Sequence, residues 1–423
     1  MTKTKGFTLA SGIAGFMAIT ILTSPAQALD AVPEGASADR YLSAIELIES
    51  NEGAYSSNLT QNLFGLGTAQ QEQGEHNEAI ETFKRAMHVS RINDGLYNLD
   101  QVPILEELIE SYIADENWED ANDRHQYLFW LHRRNFGEAD SRLLPVIEKL
   151  SSWHLSIYTL NLSAGLHQHL VNAHALFKLA VKIIDTNYGQ DDLRLVKSLQ
   201  GLTVTNYFLR RYQAETAQKL SEATRGGKAP TAQERAQLDQ YTINSYASGK
   251  RAITRIVNVL DKHQESMPSA AAKARVNLGD WYLLFNKWKS AQTTYQLAYD
   301  DLIQSEADPA IVNALFGRPV ALPDLPMLVA EAKKPEDDTP YVLVSFDVSP
   351  FGKAKNISIL DSFPKERTRL RAKVRKSLKL AKFRPRFEDG EPVLTEKVTH
   401  RYIFPDEKRA KKPSSEQELA STP

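Results

Sequence analysis

The sequence predicts a mainly α protein, an α-solenoid of helix pairs over residues 39–317 followed by a small α+β domain of ββαβ order over residues 341–405. Three observations carry this. Apolar residues recur at helical spacing through the long first part, and small and aromatic residues return there at fixed offsets. Prolines cluster over residues 318–340, at 319, 323, 326, 335 and 340. Beyond them the period drops to two, with Val342, Val344, Phe346 and Val348 alternating along one stretch.

Residues 1–28 open with Lys3 and Lys5, run apolar over residues 7–22, and end in Pro25-Ala26-Gln27-Ala28. A basic start, a short apolar stretch and an A-x-A site make an export signal, and the apolar run is too short and too diluted by Gly12 and Gly15 to favour a membrane span. Left uncleaved, the same segment would anchor the chain in the inner membrane. The chain has no cysteine, which suits an oxidising compartment and removes disulfides, thiolate catalysis and cysteine metal sites together.

The helical part repeats. Leu66-Gly67 is followed by Ala79, Phe83 and Ala86, and Leu278-Gly279 is followed at the same offsets by Ala291, Tyr295 and Ala298. These positions resemble those of tetratricopeptide repeats: a small residue where the two helices of a pair cross, a ring beneath it, and alanines where the backbones approach. Weaker copies keep phase, with Arg91, Asn93 and Gly95 returning as Arg133, Asn135 and Gly137, and with Ala173, Phe177, Ala180 and Gly189 in the same internal order. The register breaks after Gly189. Residues 213–240 read as an insert, with Gly226, Gly227 and Pro230 in it.

Residues 318–340 read as a proline-rich linker. Strand 341–348 then turns through Ser349-Pro350-Phe351-Gly352 into a second strand at residues 355–360. Residues 365–382 carry Leu370, Val374, Leu378 and Ala381 on one helical stripe, with Lys or Arg at most other positions. A turn-rich return through Phe383, Pro385, Asp389-Gly390 and Pro392 leads into a last strand from Thr395. This order resembles the TonB/TolA carboxy-terminal domain: Phe346, Val348, Gly352, Asn356, Ile359 and Ser362 match the first half of that pattern, and Phe383, Pro385, Gly390, Pro392, Val393 and Phe404 the second. Residues 406–423 are polar, without periodicity, and read as a disordered tail. No histidine lies in residues 1–28, which sets the chain apart from TonB, whose first helix engages its motor through one.

No catalytic constellation stands out. His167, His169 and His174 do not share one helical face, no H-E-x-x-H occurs, and neither a P-loop nor a nucleophile elbow is present. The reading is therefore a non-enzymatic protein without cofactor or metal. Residues 340–405 hold 15 basic against 7 acidic residues, although the whole chain carries 51 and 53. For an exported chain this sign does not point to nucleic acid, and the basic helix reads as a solvated face.

The TonB resemblance implies that the last strand is a sheet edge accepting an extended peptide by strand addition, in that family the box segment of a TonB-dependent outer-membrane receptor. The matching residues are Thr395, Lys397, Val398, Thr399, His400, Arg401, Tyr402 and Phe404. The sequence thus describes a periplasmic interaction factor of a Gram-negative envelope, joining a partner held by the solenoid to one held by the terminal domain, in TonB-type transmembrane transport. The alternatives are a scaffold that uses the terminal domain for homodimerisation or cell-wall contact, and an envelope enzyme. Export predicts a mature chain that starts at Leu29, and amino-terminal sequencing of periplasmic material checks it. Full-length chain recovered from the inner membrane would restore the anchored reading.

Overall fold

The computed structural model describes residues 9–11, 38–163, 165–225, 245–263, 267–323 and 339–404. Most of the expected signal segment, residues 226–244 of the expected insert, residues 324–338 of the expected linker and the tail lie outside the described residues. The chain is mainly helical with a small carboxy-terminal sheet, and it divides into two compact bodies, residues 20–252 and residues 253–423 with 1–19.

The first body stacks antiparallel helices: α1 (Ala38–Glu52), α2 (Leu59–Glu72), α3 (His76–Asp94), α4 (Gln101–Ala114), α5 (Trp118–Phe136), α6 (Leu144–Leu160), α7 (Leu166–Asn187) and α8 (Leu195–Arg225). The repeated residues fall at the helix crossings. Ala79, Phe83 and Ala86 are fully buried on α3, and a Cβ added to Gly67 on α2 would sit 2.5 Å from the Phe83 ring. Gly201 on α8 meets Phe177 in the same way, and Gly65 meets Tyr41. Glycine is the residue that lets each ring lie against helix backbone.

The asparagine repeat has a separate purpose. Asn93 donates from Nδ2 to the Val89 carbonyl four residues back, as any helical side chain can, and also to the Tyr55 carbonyl of the loop before its pair, both at 2.9 Å. Asn135 does the same to Leu131 and Tyr97, and Asn187 to Ile183 and Ala139. Two residues after each asparagine the chain leaves the helix at glycine with positive φ, +94° at Gly95, +88° at Gly137 and +96° at Gly189. A left-handed exit favours glycine because no Cβ clashes with the preceding turn.

The second body contains most of α9 (Ser245–Asp261), the pair α10 (Pro268–Leu284) and α11 (Trp288–Gln304), the short α12 (Pro309–Phe316), and the sheet module. The main sheet has the order β1-β8-β3-β4, with β1 Leu9–Ser11, β3 Tyr341–Val348, β4 Ala354–Phe363 and β8 Thr395–Ile403. Val342, Val344, Phe346 and Val348 are buried against α13 (Thr368–Leu380), which contributes Val374 and Leu378. Two small ribbons complete it: β2 (Val320–Leu322) with β5 (Lys382–Arg384), and β6 (Arg386–Glu388) with β7 (Glu391–Val393).

Two expected boundaries differ from the packing. Residues 318–340 were expected to be linker throughout, yet Val320–Leu322 forms an antiparallel ladder with Lys382–Arg384. Residue 317 was expected to close a solenoid separate from the terminal domain, yet α10, α11 and α12 share one core with Phe387 of β6. The reason is a buried ion pair. Arg384 of β5 donates from Nε and Nη2 to the two carboxylate oxygens of Asp280 on α10, at 3.0 and 2.9 Å, and from Nη1 to the Leu315 carbonyl at 3.1 Å. Tyr295 of α11 donates its hydroxyl to the same carboxylate at 2.7 Å, and both charged side chains are almost wholly buried.

Removing one member of a buried pair strands the other, at a cost of about 3–5 kcal/mol. Arg384→Met should lower the stability of the full chain by that order in urea unfolding. Asp280→Leu with Arg384→Met should recover a large part of the loss, because an apolar pair of similar volume no longer buries a lone charge.

Candidate peptide-binding edge

The predicted site residues are gathered on one strand. Thr395, Lys397, Val398, Thr399, His400, Arg401 and Tyr402 lie on β8, and Phe404 follows it. β8 pairs antiparallel with β3 in one unbroken register, from Phe346↔Val398 through Val344↔His400 to Tyr341↔Ile403. Phe404 extends the ladder, its N–H donating to the Pro340 carbonyl at 2.8 Å.

That last bond fixes the direction of every backbone donor on the strand. Antiparallel donors alternate, so Tyr402, His400 and Val398, at even intervals from Phe404, donate toward β3. Thr399, Arg401 and Ile403 present their N–H groups on the opposite side. There β8 meets β1 in parallel register, Leu9↔His400, Ala10↔Arg401 and Ser11↔Tyr402. The side expected to be open therefore accepts a short strand from the chain's own first residues.

Side chains alternate with the same period. Val398, Tyr402 and Phe404 pack on the sheet core. Between them His400 is half-buried, and burial lowers its pKa below the ordinary histidine value. The Tyr402 hydroxyl is pushed up by burial, and the two rings meet edge to face at 4.5 Å. On the other face the Arg401 guanidinium lies 3.9 Å from the Tyr341 ring centre.

Asp347 shapes both flanks of the central strand. Its Oδ1 accepts the Lys397 N–H at 2.9 Å and its Oδ2 accepts from Asn356 Nδ2 at 2.6 Å, and these bonds hold its carboxyl below the usual carboxylate range. Lys397 and Asn356 both have positive φ, +55° and +50°. Each marks an irregular step in pairing with β3, so the first residues of β8 bend out of the ladder. Sequence reasoning singled out neither Asp347 nor this bend. Positive φ at a lysine carries no compositional signal, and only the asparagine hints at it.

The three histidines weighed as a metal site separate in space. His174 Nδ1 faces Thr205 Oγ1 at 3.0 Å, His167 stacks on Tyr212 at 4.1 Å, and His169 Nδ1 meets His154 Nδ1 at 2.9 Å. Among the described residues no group of three or more His, Asp or Glu is arranged to hold a metal ion. The His125 ring lies tilted against Trp153, with ring centres 4.7 Å apart. Nearby, burial and the neighbouring Glu110 raise the Glu107 carboxyl, and burial raises Glu110. Glu107 is half-buried, and Glu110 is exposed.

No helix of the described residues is long and apolar enough to cross a membrane. No family model matches the sequence, and no curated protein matches it. Solved structures similar to the chain include BtubC (BKLC) from P. vanneervenii, 12% identical, covering 64% of this chain and 90% of that one with a TM-score of 0.36. They also include a Podosopora anserina protein of kinesin light chain type with nearly identical TPR-like repeats, 12% identical, covering 60% of this chain and 98% of that one with a TM-score of 0.37. Its Q17M variant gives 0.38. Neither likeness is close enough to assign a fold, and the helix-pair architecture rests on the packing above.

Burial lowers the pKa of His125 to about 3 and of His154 to about 4. A histidine held neutral in the fold gives stability that is complete above its unfolded pKa near 6.5 and is lost as pH falls toward the folded value. From pH 7 to pH 5 each should cost the first body about 2 kcal/mol. Amide hydrogen exchange in α5 to α7 measures this. His125→Leu should recover about 2 kcal/mol of the acid loss, and this comparison cancels the opposite contribution of Glu107 and Glu110.

Proposed function

We propose that this chain is a non-enzymatic interaction factor of the periplasm, whose helix pairs hold one protein partner and whose sheet module binds an extended peptide along β8 by strand addition. The observation that carries it is the row of outward donors on Thr399, Arg401 and Ile403, in unbroken register on a strand whose far side takes a strand in the full-length chain. Strand addition draws affinity from main-chain bonds and specificity from flanking side chains. The bend at Lys397 ends the regular ladder, so a guest strand would pair from Val398 onward. Cleavage after Ala28 would remove β1 and open this side.

The TonB-like order of residues makes the box segment of an outer-membrane receptor the first peptide to test, and supports a role in TonB-type transport. A second copy of the chain could take the same edge, which is the dimeric alternative.

Register decides the test. His400→Pro removes a donor of the β3 ladder and should destabilise the module, whereas Thr399→Pro removes only an outward donor and should leave it folded. Circular dichroism separates the two. Titration of mature chain with receptor-box peptide should then show Thr399→Pro weakened about tenfold, the order of one or two lost main-chain bonds. Normal binding by folded Thr399→Pro would exclude edge pairing there, and a dimer that dissociates in this variant would favour the second copy.

A further inference from the structure

Charge in the second body is segregated to a degree that the near-neutral total of the whole chain, 51 basic against 53 acidic residues, conceals. Residues 281–299, 348–360 and 367–387 hold two, two and ten Lys or Arg, and no Asp or Glu. The structure brings one end of each segment together. Phe383, after α13, donates its N–H to the Gly352 carbonyl in the β3–β4 turn at 3.0 Å. Lys382 Nζ donates to Asn286 Oδ1 in the α10–α11 turn at 2.6 Å, and Phe351 packs on Trp288 with ring centres 4.7 Å apart.

Two apolar side chains stand out from this junction. Leu380, at the end of α13, is 72% exposed, and Phe351, at the tip of the β3–β4 turn, is 53% exposed. Lys376 stands one turn before Leu380 on α13 and Lys379 precedes it, while Lys353 follows Phe351 by two residues and Lys287 adjoins its ring partner Trp288; all four are exposed, and none forms an ion pair among the described residues. Burial and the neighbouring Lys353 lower the pKa of Lys382, as expected where positive charge gathers unopposed.

A solvated helix face explains the lysines and arginines but not the leucine and phenylalanine beside them. An exposed apolar tip ringed by lysine is the pattern of an interfacial anchor: the apolar groups enter the boundary between headgroups and acyl chains while the ammonium groups meet lipid phosphates. We infer that this junction of Phe351, Leu380 and the surrounding lysines is a docking surface for a bilayer rich in anionic phospholipid. A nucleic acid would satisfy the lysines but offers no apolar layer for Leu380 and the exposed half of Phe351, and binding to protein-free vesicles separates a bilayer from an acidic protein. The inference does not rest on strand addition along β8, and neither does its test.

Sedimentation of mature chain with vesicles tests the inference. Binding is expected to phosphatidylglycerol–phosphatidylcholine vesicles and not to phosphatidylcholine alone, and to fall as salt rises. Each lysine near an anionic bilayer raises partitioning about fivefold, so Lys376→Glu with Lys379→Glu should reduce it by well over tenfold. Leu380→Ser, which keeps the charge, should also lower it severalfold. Because the chain lacks cysteine, Phe351→Cys carries a single environment-sensitive fluorophore, whose emission should shift to the blue on anionic vesicles. Circular dichroism confirms that these exposed substitutions leave the fold intact. Equal binding to neutral vesicles, no binding to anionic ones, or binding without any spectral shift at position 351 overturns the proposal. So does a Leu380→Ser variant that binds as wild type.

Discussion

The second body depends on the carboxylate of Asp280. It accepts two bonds from Arg384 and one from Tyr295 in a space from which water is excluded. Isolated, such a carboxylate would be costly to bury, and the guanidinium fork is the partner whose geometry answers it. Asp280 also follows Gly279, the residue on which the Tyr295 ring lies. The same ring thus serves the crossing of α10 with α11 and, through its hydroxyl, the attachment of β5. Repeat packing and module docking are one arrangement. An apolar contact of equal area could slide, but two parallel donors on two oxygens admit one register.

Much of this fold could be read in the residues. Gly67 with Phe83 and Gly279 with Tyr295 were recognisable because close backbone approach restricts which residues can stand there, and the restriction repeats at a fixed offset. The alternation from Val342 to Val348 was legible because one face of β3 is buried and the other is not. Asp280 with Arg384 was not legible. Nothing local distinguishes Arg384 from its many basic neighbours, and its partner lies 104 residues away. For the same reason the boundary drawn at the prolines was too far along the chain: composition changes there, but the core does not.

The candidate edge divides in the same way. Which residues form β8 followed from their two-residue period, since a strand states its own faces. Which of Thr399 and His400 donates outward did not, because backbone direction is set by the neighbouring strand and shows in no side chain. One bond at its end, from Phe404 to Pro340, settles the whole row. Lys397 is a further case. Its left-handed backbone is held by a carboxylate fifty residues earlier, and lysine is as common in regular strands' exposed positions as in bends. The sequence therefore named the strand while leaving silent where its regular part begins.

The asparagines of the first body have a mechanical consequence. Asn93, Asn135 and Asn187 each clasp their own helix to the loop that precedes the pair, with bonds of nearly equal length. Such clasps lie in series along the chain rather than side by side. A tensile load on the first body would reach them one after another, and no single clasp would carry the whole of it. Stacked units of this kind yield stepwise, because each unit is held chiefly by its neighbours. Under load the first body would in this way lengthen by one pair at a time and re-form when the load is removed.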